Sequence, residues 1–284
     1  MKTVISMMQL VIHWDLDPVF FRVFGFGVRY YSLCWVVGIL LAYLVARRRL
    51  LRLGESEDRI EMLLVYVVLG ALIGARLGHC LFYDWKYFSH HLLEIILPVS
   101  ISSGHVTFTG YAGLASHGGA AGIIAALFLY HRKYKLPFLF LLDALAYVAP
   151  LTGAFIRLGN FFNSEIIGAP TDSAFGVVFD RVDSMPRHPA QLYEAAAYLL
   201  IFFLLFLFLR RRKSRRPGQL FGLSLVLIFY ARFMIEFCKE VQEPFETGLR
   251  EAVGLDMGQL LSIPFIAVGL YFLLRRRWAP GKRF

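Results

Sequence analysis

Polar and apolar positions along this 284-residue chain fall into long blocks; they do not alternate. Seven blocks are apolar on every helical face: residues 28–46, 60–82, 117–130, 136–156, 191–209, 219–237 and 257–274. About 20 such residues, rising 1.5 Å each, cross the hydrocarbon core of a bilayer. The third block is short, and its start extends back to Gly110 if the glycines there are helical. No block shows the period-two pattern of a membrane β-barrel. The pattern predicts an all-α integral membrane protein with about seven transmembrane helices. It divides the chain as one polytopic domain over 1–284. An outer-face interfacial arm covers 1–27, and the bundle covers 28–274 with outer loops at 83–116, 159–190 and 238–256. A basic tail occupies 275–284.

The basic residues set the orientation. Nineteen of the 30 Lys and Arg follow odd-numbered blocks, as in Arg47-Arg48-Arg49 and Arg210-Arg211-Arg212. Eight lie in the N-terminal arm and the opposite loops. Basic loops stay in the cytoplasm, so the N-terminus is expected outside and the C-terminus inside. Composition agrees with a membrane protein: 58% of residues are hydrophobic and 18% charged. A soluble domain has about 45–50% and about 25%. The formal net charge of +10 then follows mostly from topology, and nucleic-acid binding is not expected. Three separated cysteines without a CxxC pair suggest neither a disulfide framework nor a zinc site. The opening run MKTVISMMQLVIHWDLDP is broken by His13, Asp15 and Asp17, which fits an interfacial arm better than a cleaved leader.

Three arginines remain: Arg76, Arg157 and Arg232, each within or at the outer end of an even-numbered block. A charge at the bilayer centre costs about 2.5–3.5 kcal/mol even on the mild insertion scale. Two readings compete. The arginines form structural ion pairs or snorkel, as Arg232 and Glu236 would if they paired across one helical turn. Alternatively they line a cationic pocket for an anionic headgroup, whose phosphate oxygens suit the guanidinium fork.

Four polar, glycine-containing stretches interrupt the apolar pattern. In 110–119, GYAGLASHGG, His117 stands at a helix entrance, where a neutral imidazole serves as a base or simply bonds a neighbouring helix. In 153–171, Arg157 and Asn160 share a helix face, and Asn163 and Glu165 follow. In 187–194, RHPAQLYE, Pro189 suits a first helical turn and His188 is a second candidate base. In 257–264, MGQLLSIP, Gln259 and Ser262 read as links between helices. The Tyr30-Tyr31 pair reads either as an aromatic belt or as part of a site.

These blocks resemble, in the same order, those of the prolipoprotein diacylglyceryl transferase family. The most specific is Arg157 to Gly168, RLGNFFNSEIIG; SHGG at 116–119, 187–194, 257–264, GARLG at 74–78 and the tyrosines at 30–31 accompany it. The resemblance spans roughly 18–274. It implies transfer of the diacylglyceryl group of phosphatidylglycerol to the lipobox cysteine of a prolipoprotein signal peptide, forming a thioether and releasing glycerol phosphate. It also implies no metal or soluble cofactor. The expected setting is the bacterial cytoplasmic membrane, with the active site toward the outer leaflet. His117, Arg157, Arg232, Glu165 and Asn160 are implied as catalytic. Arg157, Asn160, Arg76, Tyr31, Gly168 and Asn163 are implied to bind the lipid. Ile228 stands where the family commonly has a tyrosine, and Tyr230 lies two residues before Arg232. The short stretch between Gly168 and Arg187 implies a small outer head, and Lys239 to Glu243 departs from the family's usual run. The alternative function is a transporter or channel for an anionic solute. It predicts matching polar interruptions in two halves, and the chain has none.

Overall fold

The computed structural model describes residues 12–23, 25–97, 99–102, 105–108, 113–211, 216–240, 250 and 252–275. Residues 1–11 of the expected arm, Gly110 to Ala112, the basic run 212–215, 241–249 and the tail 276–284 lie outside the described residues. All seven apolar blocks form helices: α1 Tyr30–Arg52, α2 Glu57–Phe82, α5 Ser116–Tyr134, α6 Phe138–Phe162, α7 Ala190–Arg211, α8 Gln219–Glu236 and α9 Met257–Leu274. Two short helices, α3 Trp85–Phe88 and α4 Leu92–Ile96, follow α2. Six of the long helices have the length and apolarity to cross a membrane. The remaining one, α5, has glycines in its first half and His131, Arg132 and Lys133 in its last turn, which lower its apolarity.

The helix ends differ from the sequence expectation. α6 continues six residues past 156, so Arg157 and Asn160 are helical, as their shared-face spacing suggests, and the loop expected from 159 begins after Phe162. Apolar patterning misses this extension because the added turns carry Arg157 and Asn160. Short strands also appear, three before α1 and four between later helices, among the described residues. β1 Ile12–Trp14 pairs in parallel with β6 Val177–Phe179, which pairs antiparallel with β7 Pro186–Arg187. Hairpins join β2 Val19–Val23 to β3 Phe26–Arg29 and β4 Val99–Ser102 to β5 His105–Phe108. Runs of two to five residues are too short to show a period.

Contacts group the chain into two units, residues 1–46 with 143–283 and residues 47–142. In the second unit, α2 and α5 pack backbone to backbone: a Cβ on Gly78 would stand 2.7 Å from Gly118 Cα. Small residues at such a crossing are how membrane helices gain close dispersion contact. The first unit contains α7, α8, α9 and most of α1 and α6. Asp143 of α6 accepts from the backbone N–H groups of Gly218 (2.7 Å) and Phe221 (2.8 Å), capping α8 from another helix. Ser224 Oγ donates to Ala146 O at 2.9 Å, and Phe229 stacks on Phe265 at 4.3 Å. A small apolar core of Phe161, Val177 and Phe179, flanked by Trp14, Ile167 and Leu192, sits under the three-stranded sheet. Trp14 and Phe161 rings are 4.4 Å apart. This core fixes the loop that follows α6.

Candidate active site

The loop from Asn163 to Gly168 leaves α6 through two left-handed residues, Ser164 and Ile166, both at φ 56°. Non-glycine residues seldom adopt that conformation, and where they do the surroundings enforce it. Here the enforcement is visible. Glu165 N bonds Asn160 O at 3.0 Å, and Gln191 Nε2 donates to Glu165 O at 2.6 Å. Gly168 is wedged between two backbones: its N–H bonds His188 O at 2.9 Å, and Ala169 N bonds Cys238 O at 2.9 Å. Buried Arg187 donates to Gly168 O at 3.2 Å and pairs with Asp183 and with Glu240 (2.9 Å). These hydrogen bonds from Arg187 hold the Asp183 carboxyl below its usual value, and the same bonds raise Arg187.

Polar side chains then link in a chain. Arg157 Nη1 lies 3.3 Å from Asn160 Oδ1, and Asn160 Nδ2 donates to Glu165 Oε2 at 3.1 Å. Asn163 Nδ2 donates to Glu165 Oε1 at 3.0 Å. On its other side Arg157 Nε meets Glu194 Oε2 at 2.8 Å. Glu194, fully buried in α7, also holds Lys239 Nζ at 3.1 Å, and Lys239 reaches Glu236 at 2.9 Å. Two carboxylates thus balance Arg157 and Lys239. The Tyr198 hydroxyl neighbours Arg157 and lies in the field of Glu194 and Arg232. Its ring lies over Gly153, one turn before Arg157, where a Cβ would come within 3.1 Å.

The first unit therefore gathers Arg157, Asn160, Asn163 and Glu165 into one bonded set, with Gly168 closing the loop. Arg232 is half-buried on α8 and makes no ion pair among the described residues; the expected partner, Glu236, is taken by Lys239 three residues on. Tyr31, at the start of α1, packs on Gly159, and its neighbour Tyr30 stacks on Phe162 at 4.9 Å. His188 Nδ1 lies 3.3 Å from the Tyr193 hydroxyl. Gln259 caps its own helix with Asp256 and reaches Phe233 O at 3.4 Å, linking α9 to α8, whereas Ser262 bonds within α9.

In the second unit His117 is exposed in the first turn of α5. Arg76 is buried on α2; its guanidinium donates to Glu94 O and to Ile95 O at 3.2 Å and lies over Phe88 at 4.8 Å. That geometry ties α4 to α2. Sequence reasoning gave no role to Glu194, Lys239 or Tyr198. A signal existed for Glu194, a carboxylate inside an apolar helix, which membrane burial tolerates only with a partner.

A family model described as prolipoprotein diacylglyceryl transferase matches residues 18–275. Relatives named phosphatidylglycerol–prolipoprotein diacylglyceryl transferase include one from Bacteroides fragilis, 48% identical over 266 residues, which cover 93% of this chain and 95% of the relative. One from Tolumonas auensis is 42% identical over 265 residues, 93% and 97% of the two chains. One from Porphyromonas gingivalis is 41% identical over 277 residues, 93% and 94%. The chain belongs to the prolipoprotein diacylglyceryl transferase family.

Proposed function

We propose that this chain transfers the diacylglyceryl group of phosphatidylglycerol to the lipobox cysteine thiol of prolipoproteins. The observation that carries the reading is the family match over 18–275, and the buried Arg157 network is the chemistry to expect beneath it. The thiol sulfur attacks the glycerol carbon that bears the phosphate. A C–S bond forms, the C–O bond breaks, and glycerol phosphate leaves with the bonding pair. The diester carries one negative charge and the departing monoester gains another. Preorganised donors at that phosphate favour the transition state over the ground state.

Arg157 is the proposed main clamp, because Glu194 engages its Nε and leaves terminal nitrogens for phosphate oxygens. Arg232, whose charge meets no carboxylate among the described residues, is the proposed second cation. Asn160, Asn163 and Glu165 are proposed to hold Arg157 and the glycerol hydroxyls, with Gly168 and Tyr31 bordering the lipid site. His117 is the proposed base for the substrate thiol, whose pKa of about 8.5 leaves little thiolate at neutral pH; the family motif at 116–119 supports this role. Arg76, whose guanidinium is bonded to α4 carbonyls, is proposed to bind the lipid as well.

The distribution of basic residues supports seven crossings, an outside N-terminus, a cytoplasmic C-terminus and a site opening to the outer leaflet of the bacterial cytoplasmic membrane. Purified protein in phosphatidylglycerol vesicles, given a synthetic lipobox peptide, tests the function. Mass spectrometry is expected to find a diacylglyceryl adduct on the cysteine. No adduct from folded protein overturns the reading.

A further inference from the structure

Lys239 has no part in the chemistry above, yet it is buried in the middle of the charge network. Its side chain is 4% exposed, and its ammonium lies 3.1 Å from Glu194 Oε1 and 2.9 Å from Glu236 Oε2. Its backbone is fixed as well. Residue 239 bridges Gly168, and the carbonyl before it accepts from Ala169. Glu236 is held in turn against the first turn of α9, where Gly258 leaves no room for a Cβ beside the carboxylate. The positive end of that helix favours a carboxylate there.

The geometry at Glu194 gives Lys239 a purpose. A carboxylate with both oxygens available pairs with arginine by the two-point fork. Glu194 does not: Oε2 meets Arg157 Nε at 2.8 Å while Oε1 is held by Lys239. One-point pairing leaves the terminal nitrogens of Arg157 unclaimed by Glu194. Besides the neighbouring Tyr198 hydroxyl, the guanidinium has only the 3.3 Å contact of Nη1 to Asn160, a long bond that a phosphate oxygen outcompetes.

We propose that Lys239 is a positioning residue for Arg157. By occupying one oxygen of Glu194 it keeps that carboxylate from claiming a second edge of the guanidinium, which stays open to the phosphate of the lipid. This inference rests on the transferase reading and deepens it. Removing the ammonium lets Glu194 rotate into a fork with Arg157 and withdraw donors from the ligand. The loss falls on lipid binding, and it depends on the charge of residue 194.

The test uses the full chain in vesicles of graded phosphatidylglycerol content with the lipobox peptide, reading KM for the lipid and kcat separately. Lys239→Met is expected to raise KM about tenfold or more, with a smaller change in kcat. Lys239→Arg, which retains the cation, is expected to stay within about threefold of wild type. Adding Glu194→Gln to Lys239→Met is expected to recover at least about threefold of the lost KM, because a neutral amide no longer competes for the guanidinium. A structural clip alone predicts the reverse, with the double variant worse than either single one. Lys239→Gln is carried in parallel, so a folding failure of the methionine variant does not decide the outcome. An unchanged KM in the neutral variants, or a double variant no better than Lys239→Met, overturns the proposal. Absence of transfer by the wild-type protein removes the transferase reading and this inference with it.

Discussion

Replacing Gly168 by alanine isolates the position of the loop from its chemistry. The residue is not at positive φ, so the alanine backbone is unstrained. The cost is steric. A Cβ would stand 2.5 Å from His188 Cβ and 2.7 Å from Cys238 O, where ordinary contact begins near 3.4 Å. The same Cβ meets His188 O, so both neighbours must retreat by at least about 0.7 Å, and each is anchored: His188 O by the Gly168 N–H, Cys238 O by the Ala169 N–H. Overpacking of this kind costs about 1–3 kcal/mol. A shift near 1 Å in a positioning element costs up to about 10²-fold in rate. Gly168→Ala is thus expected to lower transfer to the lipobox peptide by one to two orders of magnitude, with a modest drop in the detergent melting temperature. Mass-spectrometric turnover and a melting curve read both. Wild-type turnover with an unchanged melting temperature would refute the wedge argument.

Arg157→Lys keeps the charge but loses the fork, and is expected to reduce transfer by about 10²–10³-fold while the protein still folds; turnover within threefold of wild type would argue for a diffuse field. Phe179→Ala empties the small core around Phe161 and Val177 and is expected to cost about 3–5 kcal/mol of local stability. Faster proteolysis between α6 and α7 would report it, and an unchanged cleavage rate would count against that core as an anchor. The Asp183 carboxyl, lowered by Arg187, stabilises the folded state above its unfolded pKa of about 3.9, and this contribution is lost as pH falls through the lower folded value. The melting temperature of Asp183→Asn is therefore expected below wild type at neutral pH, with the gap closing below about pH 4. Curves that stay parallel to acid pH would exclude the ion pair as the cause.

Much of this architecture is legible in the chain because membrane helices announce themselves by apolar length. The ends of α2, α8 and α9 fall within a few residues of where hydropathy alone puts them. The end of α6 does not, because Arg157 and Asn160 interrupt the apolar run even though their spacing suits one helix face. The ion pairs that hold this end reach far along the chain: Glu194 is 37 residues after Arg157, and Lys239 is 45 after Glu194. Spacing rules see neighbours such as Arg232 and Glu236, and there the helix spacing is right while the pairing is not. Lys239, just beyond the helix, competes for the same carboxylate from a backbone fixed against Gly168. The sheet of β1 and β6 is invisible for a related reason. Three-residue strands carry no period, and β1 finds its partner 165 positions further along the chain.

The Asp143 cap on α8 has a consequence in time. The amides it accepts from lie 75 and 78 residues downstream. At about 5–20 residues per second, the ribosome supplies them roughly 4–16 s after Asp143 has been made. Through that interval the carboxylate must find water or a proton, since neither amide exists yet. Nascent α6 is therefore an unfinished membrane segment, and the arrival of α8 completes it. The prospective phosphate clamp on the same helix is settled late in synthesis, after the last polar debt of its own helix has been cleared.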